Sequence, residues 1–150
     1  MKYMTKEWYD YIQVSPRLPF DSSLQKNGDV IGAYWSEYKK LFPSPPDFMK
    51  TIDRLHDFSV LSAGFIGNDY VIHLEDDDNE LDGNKIILKN AVVKKQDFHE
   101  QYIGWCYHEL YPTEKGYELH VLFFEYGSRE MYDLIVECEN VELTNDKNEP

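Results

Sequence analysis

Up to residue 57 the apolar residues of this chain recur every three or four positions, and from Phe58 onward they alternate with polar ones. The first pattern belongs to helices packed by one face, the second to half-buried strands. Thr5 caps a first helix with Trp8, Tyr11 and Ile12 on one side, stopped by Ser15-Pro16 and Pro19. Ile31, Tyr34, Trp35, Tyr38 and Phe42 mark a second helix after Asp29, ended by Pro43. Ser44 caps a third, with Pro45 in its first turn and Phe48, Ile52 and Leu55 along one face. The stripe Tyr34, Trp35, Tyr38 is read as core, with a ligand groove as the alternative.

Two hairpins carry their own register. A two-residue loop at Gly127-Ser128, Gly first, suits a type II′ turn and sets Tyr117 opposite Cys138, Leu119 opposite Val136, Val121 opposite Leu134 and Phe123 opposite Tyr132. Gly67-Asn68 likewise pairs Phe65 with Tyr70, Ala63 with Ile72 and Leu61 with Leu74. Further strands fit Lys85 to Val93 and Ile103 to Tyr111. The expected fold is α+β, with N-terminal helices over about 1–56 followed by an antiparallel meander of about six strands over 57–143. The polar tail 144–150 is expected to fray, and the whole is expected to form one domain.

The chain has 150 residues and a formal net charge of -13, from 28 acidic and 15 basic side chains. Such a balance repels phosphate backbones and anionic lipid, so neither nucleic acid nor membrane is an expected partner; a basic protein surface is a better candidate, with solubility alone as the plainer reading of the charge. Cys106 and Cys138 both stand in apolar runs and read as reduced core residues. The first residues lack the apolar run of a signal peptide, and no run approaches a membrane span, so a cytoplasmic location is expected.

Charge is concentrated in Glu75-Asp76-Asp77-Asp78-Asn79-Glu80-Leu81-Asp82-Gly83. Asp76, Asp78, Glu80 and Asp82 alternate as oxygen ligands for calcium could, yet Leu81 and Ile87 stand where an EF-hand loop needs Gly and Glu. A solvated turn fits better, with Asp76, Asp77, Asp78 and Glu80 as the residues facing a basic partner. The Gly127-Ser128 register brings Glu118 opposite Glu137, with His120 on the same face. That group is the candidate for general acid chemistry or metal ligation, weighed against an ordinary solvated sheet face. His56-Asp57 reads as a helix-to-strand junction rather than a proton-transfer pair, and Trp105 and Glu109 share a face if their strand is regular. There is no phosphate loop, G-x-S-x-G, H-E-x-x-H or Cys-x-x-Cys, and no cofactor is expected.

Met1-Lys2-Tyr3-Met4-Thr5-Lys6-Glu7-Trp8-Tyr9, Leu55-His56-Asp57 leading to Gly67-Asn68-Asp69-Tyr70-Val71-Ile72, and Trp105-Cys106-Tyr107-His108-Glu109 followed by Gly116-Tyr117-Glu118-Leu119-His120-Val121-Leu122 resemble a domain-of-unknown-function family of Gram-positive bacterial proteins, in shortened form. The resemblance implies helices followed by a sheet unit and implies no reaction.

The first functional reading is a non-catalytic protein-binding module, in one form an immunity-type protein that neutralises a basic toxin. The alternatives are a metal-dependent hydrolase using Glu118, His120 and Glu137, and a structural subunit of a homo-oligomer.

Overall fold

The computed structural model describes residues 1–14, 20–76, 81, 83–99, 102–128 and 130–145. Three helices, α1 (Lys6–Val14), α2 (Phe20–Leu41) and α3 (Met49–Ile52), accompany eight strands. The strands are β1 (Ser59–Ile66), β2 (Asp69–Leu74), β3 (Lys85–Lys89), β4 (Val92–Gln96), β5 (Ile103–Pro112), β6 (Tyr117–Glu125), β7 (Met131–Cys138) and β8 (Asn140–Thr144). The fold is α+β with one antiparallel sheet, in the order β4-β7-β6-β5-β1-β2-β3-β8.

The expected count of about six strands is corrected to eight. The run read as one strand from Lys85 to Val93 breaks at Asn90, whose φ of 48° lies in the left-handed region. Asp69 Oδ1 accepts the Asn90 N–H and Glu139 accepts its side-chain amide, holding the break in place. A matching break at Glu139 separates β7 from β8, a strand of its own at the end of the expected sheet region. Across both breaks the pairing keeps step: Lys89 faces Asn140 and Val92 faces Glu137. The two ends of the sheet order therefore meet in one bent ribbon, and the sheet wraps around its own core.

That core takes the inward residues of the strands. Tyr70, Ile72 and Leu74 on β2, Ile86 and Leu88 on β3, Leu119, Val121 and Phe123 on β6, and Leu134, Val136 and Cys138 on β7 are all buried. The register of β6 with β7 is the expected one at every pair. Its turn differs: Ser128 N–H donates to Glu125 O, so Gly127 (φ 85°) is the third residue of a four-residue turn rather than the first of a two-residue loop. In the other hairpin a bulge at Leu61 sets Val60, not Leu61, against Leu74. Val60 points inward at 6% exposure and Leu61 outward at 61%.

The helical part is slighter than expected. Thr5 Oγ1 caps α1 by accepting the Trp8 N–H at 3.2 Å, and α2 starts well ahead of Asp29, but α3 is a single turn. Helix α2 lies on β5, where the Tyr34 hydroxyl accepts the Leu110 N–H at 2.9 Å. The segment before α1 crosses the same strand. There the fully buried Glu109 carboxylate accepts the backbone N–H groups of Lys2 (2.7 Å), Tyr3 (2.9 Å) and Met4 (2.6 Å), and the Tyr111 hydroxyl at 2.7 Å. Four donors on one carboxylate offset the cost of taking its charge out of water. No helix among the described residues is long and apolar enough to cross a membrane.

Candidate functional site

The structure brings the predicted carboxylate group together. Glu118 faces Glu137, and His120, opposite Ile135, donates from Nε2 to Glu118 Oε1 at 2.6 Å. Lys94 stands between the two carboxylates, 2.5 Å from Glu118 Oε2 and 3.1 Å from Glu137 Oε2. Its ammonium occupies the place a metal would need, and no metal-binding cluster of three or more His, Cys, Asp or Glu side chains is found among the described residues. Burial opposes the charge on Glu118, but Lys94 and His120 outweigh it and hold its carboxyl below the usual range. Burial pushes the His120 imidazole down against the upward pull of Glu118. The cluster is an ion-pair network on the outer face of the sheet.

Of the acidic run, Asp77, Asp78, Glu80 and Asp82 lie outside the described residues. Asp76 Oδ2 accepts the Leu81 N–H at 3.3 Å, as a turn-forming side chain does, and Glu75 N–H donates to Ser59 O at the start of β1. His56 Nδ1 and Asp57 Oδ2 are 3.0 Å apart on the surface, while the Asp57 N–H donates to Trp105 O at the junction with β5. Trp105 and Glu109 do not share a face. A bulge between Trp105 and Tyr107 turns Trp105 into the core and leaves Glu109 under the N-terminal segment.

Sequence reading missed the site with the most distinctive geometry. Helix α2, the α3 region and β5 enclose a groove made of two cavities of about 170 and 550 Å³ that share Trp35 and Asp53 as walls. His56, Tyr107 and His108 line the smaller one, and Tyr38, Met49 and Pro43 the larger. A hydrogen-bond chain fixes the shared carboxylate: Trp105 Nε1 donates to His108 Nδ1 (3.4 Å), and His108 Nε2 donates to Asp53 Oδ1 (3.0 Å). Both imidazole nitrogens are thus committed, which suits positioning more than proton transfer. Cys106, on the same cavity, has its thiol pushed up to about 12 by burial, and a protonated thiol is a poor nucleophile. Asp53 and His108 stand 55 residues apart, so no local spacing announces their pairing. The aromatic stripe divides: Tyr34 and Tyr38 are buried, as expected, while Trp35 faces both cavities.

A second surface lies along β1. Its sequence, SVLSAGFI, carries no charge, and Leu61 (61%), Phe65 (54%) and Ile66 (62%) are exposed. Beyond β2, β1 pairs only with β5, and there only through Ser59 and Val60. Among the described residues no strand takes the far side of Leu61 to Ile66. Tyr102 and Tyr126 stack at 5.1 Å beside Ser59 and extend the apolar surface.

No family model matches the chain, and neither a curated protein nor a solved structure matches it.

Proposed function

We propose that this protein is a non-catalytic protein-binding module that takes an extended, basic segment of a partner onto the free edge of β1. The observation that carries this reading is the composition of that edge. Natural sheets protect exposed edges with charge, proline, short length or a bulge, and over eight residues β1 carries a bulge at Leu61 but no charge and no proline. Main-chain groups along such an edge give affinity to an added strand, and Leu61, Phe65 and Ile66 give it apolar contacts.

Charge argues for the partner's chemistry. A second copy of the chain would bring another formal charge of -13, whereas a basic segment is attracted by that field and by the acidic run that leaves β2 beside Ser59. A toxin-neutralising immunity protein is the form of module that this size and charge suit. The Lys94 ammonium between Glu118 and Glu137 favours this reading over a metal-dependent hydrolase.

The test is fluorescence anisotropy with two labelled decapeptides, one alternating Val and Lys, the other Val and Glu. The Val-Lys peptide is expected to bind, more weakly as salt rises, and Leu61→Lys with Phe65→Lys is expected to weaken it by roughly tenfold. Equal binding of both peptides, or binding unaffected by the double substitution, sinks the reading.

A further inference from the structure

We propose that the groove between α2, α3 and β5 is a binding site for a small organic cation, an alkylammonium or guanidinium ion, held by the Asp53 carboxylate against Trp35. The carboxylate is pre-positioned by a chain that ends in the core, from Trp105 through His108 to Asp53 Oδ1. Its side chain stays 38% exposed where the two cavities meet. The hydrogen-bond donor that orients it is an imidazole N–H, not the ammonium of a lysine or the guanidinium of an arginine. Lys39 and Lys50 stand on the wall of the larger cavity, and Lys50 is committed to Asp47 at 2.9 Å.

A second observation points the same way. Tyr38 lines the larger cavity, is only 3% exposed, and its buried hydroxyl has no hydrogen-bond partner among the described residues. Buried polar groups are rarely left so; the oxygen is closed to water, and a ligand N–H in the groove satisfies it when the Tyr38 ring turns toward the groove. Burial first, and then the Asp53 carboxylate, push the Tyr38 phenol up to about 12, so the two groups act on the same space.

Trp35 supplies the third element. It forms a wall of both cavities, and an indole face attracts a cation more strongly than any other side-chain ring does. Carboxylate, indole and phenolic oxygen together recognise a compact charge with N–H donors and an apolar stem. A neutral molecule of the same shape gains only the apolar part. The smaller cavity, about 170 Å³, admits a short alkyl chain and no folded partner, so this site is separate from β1 and stands whatever binds there.

The experiment titrates the intact protein with n-butylammonium, with n-butanol, and with the tripeptide amide acetyl-Gly-Lys-Gly, followed by calorimetry and by ¹H–¹⁵N spectra. Butylammonium is expected to move the Trp35 indole and Asp53 amide signals and to bind at least roughly tenfold more tightly than butanol. Asp53→Asn keeps an acceptor for His108 and is expected to weaken butylammonium by roughly tenfold. Tyr38→Phe is expected to weaken it several-fold, and with Trp35→Leu it decides the matter if Asp53→Asn does not fold. Equal affinity for butanol and butylammonium, or shifts confined to surfaces away from Trp35 and Asp53, overturns the site. Tighter binding of the tripeptide than of the free amine overturns the assignment to a small ligand.

Discussion

Lys94 reaches from β4 to both carboxylates of the facing pair on β6 and β7, 2.5 Å from Glu118 and 3.1 Å from Glu137. Two like charges opposite one another on adjacent strands repel, and a shared counter-charge turns the pair into a tie between three strands. Lys94→Ala is therefore expected to lower stability modestly at neutral pH, as the loss of a partly exposed pair does. The same substitution costs less once the pH falls far enough to protonate Glu118. Urea melts of both proteins at the two pH values measure this, and a pH-independent cost would refute it.

The acid limb of stability has two parts with one sign. His120 has a folded-state pKa below its ordinary 6.5, so its contribution is present above that value and lost as pH falls beneath it. Glu118 has a folded-state pKa below its ordinary 4.5, so its contribution is lost further down. Melting temperature is expected to fall in two stages on acidification, and His120→Asn should flatten the first stage and also move the second, because the imidazole helps hold Glu118 down. A His120→Asn protein with the parent's profile between neutrality and pH 5 would show that another group titrates there.

Val121 is fully buried opposite Leu134. Val121→Asp places an unpaired charge in the core and should cost several kcal/mol, enough to unfold a domain of ordinary stability. Glu118→Gln, on the other face, should be mild. Circular dichroism of a well-folded Val121→Asp protein would contradict the register.

Glu109 ties down the segment before α1. Glu109→Ala leaves the buried Met4 N–H and the part-buried Lys2 and Tyr3 N–H groups without their acceptor and is expected to cost roughly 3 kcal/mol, while Tyr111→Phe removes one donor and should cost about 1 kcal/mol. Hydrogen exchange should show residues 2–4 losing protection first in Glu109→Ala. Unchanged protection there would mean that packing alone holds the segment.

Both thiols are buried, and burial pushes Cys106 and Cys138 up to about 12. Native protein at pH 8 should resist iodoacetamide, and unfolded protein should take up two equivalents, counted by mass spectrometry. Fast modification of one thiol in the native state would expose a site where the fold places core.

Where pairing is local, the letters carry it. The β6 and β7 register follows from alternation around one turn, and slipping it by one residue would turn Leu119, Val121 and Phe123 outward. Three local irregularities escaped because nothing in alternation marks them: the bulge at Leu61, the bulge between Trp105 and Tyr107, and the left-handed turn at Asn90. The Glu118 and Glu137 pairing was legible for the same reason as the hairpin, but its partner Lys94 was not, since β4 reaches β7 only through the tertiary fold. The groove lay beyond sequence reading altogether. It requires α2, α3 and β5 to meet, and the stripe that marks α2 as a packing face gives no sign that Trp35 stands on the wall of a groove.

The ribbon that joins β3 and β4 to β7 and β8 ties distant parts of the chain, with Lys85 against Thr144 at one end and Gln96 against Leu134 at the other. Such pairings form late, because a long intervening loop must be ordered before they return any contact energy. A ribosome-bound chain that has emerged only as far as β6 would hold β1 to β3 and β5 with β6 joined through Ser59 and Val60 alone, with their apolar faces uncovered. The protein is most exposed to misassociation in that interval, and it should gain its protease resistance in one step when β7 and β8 arrive.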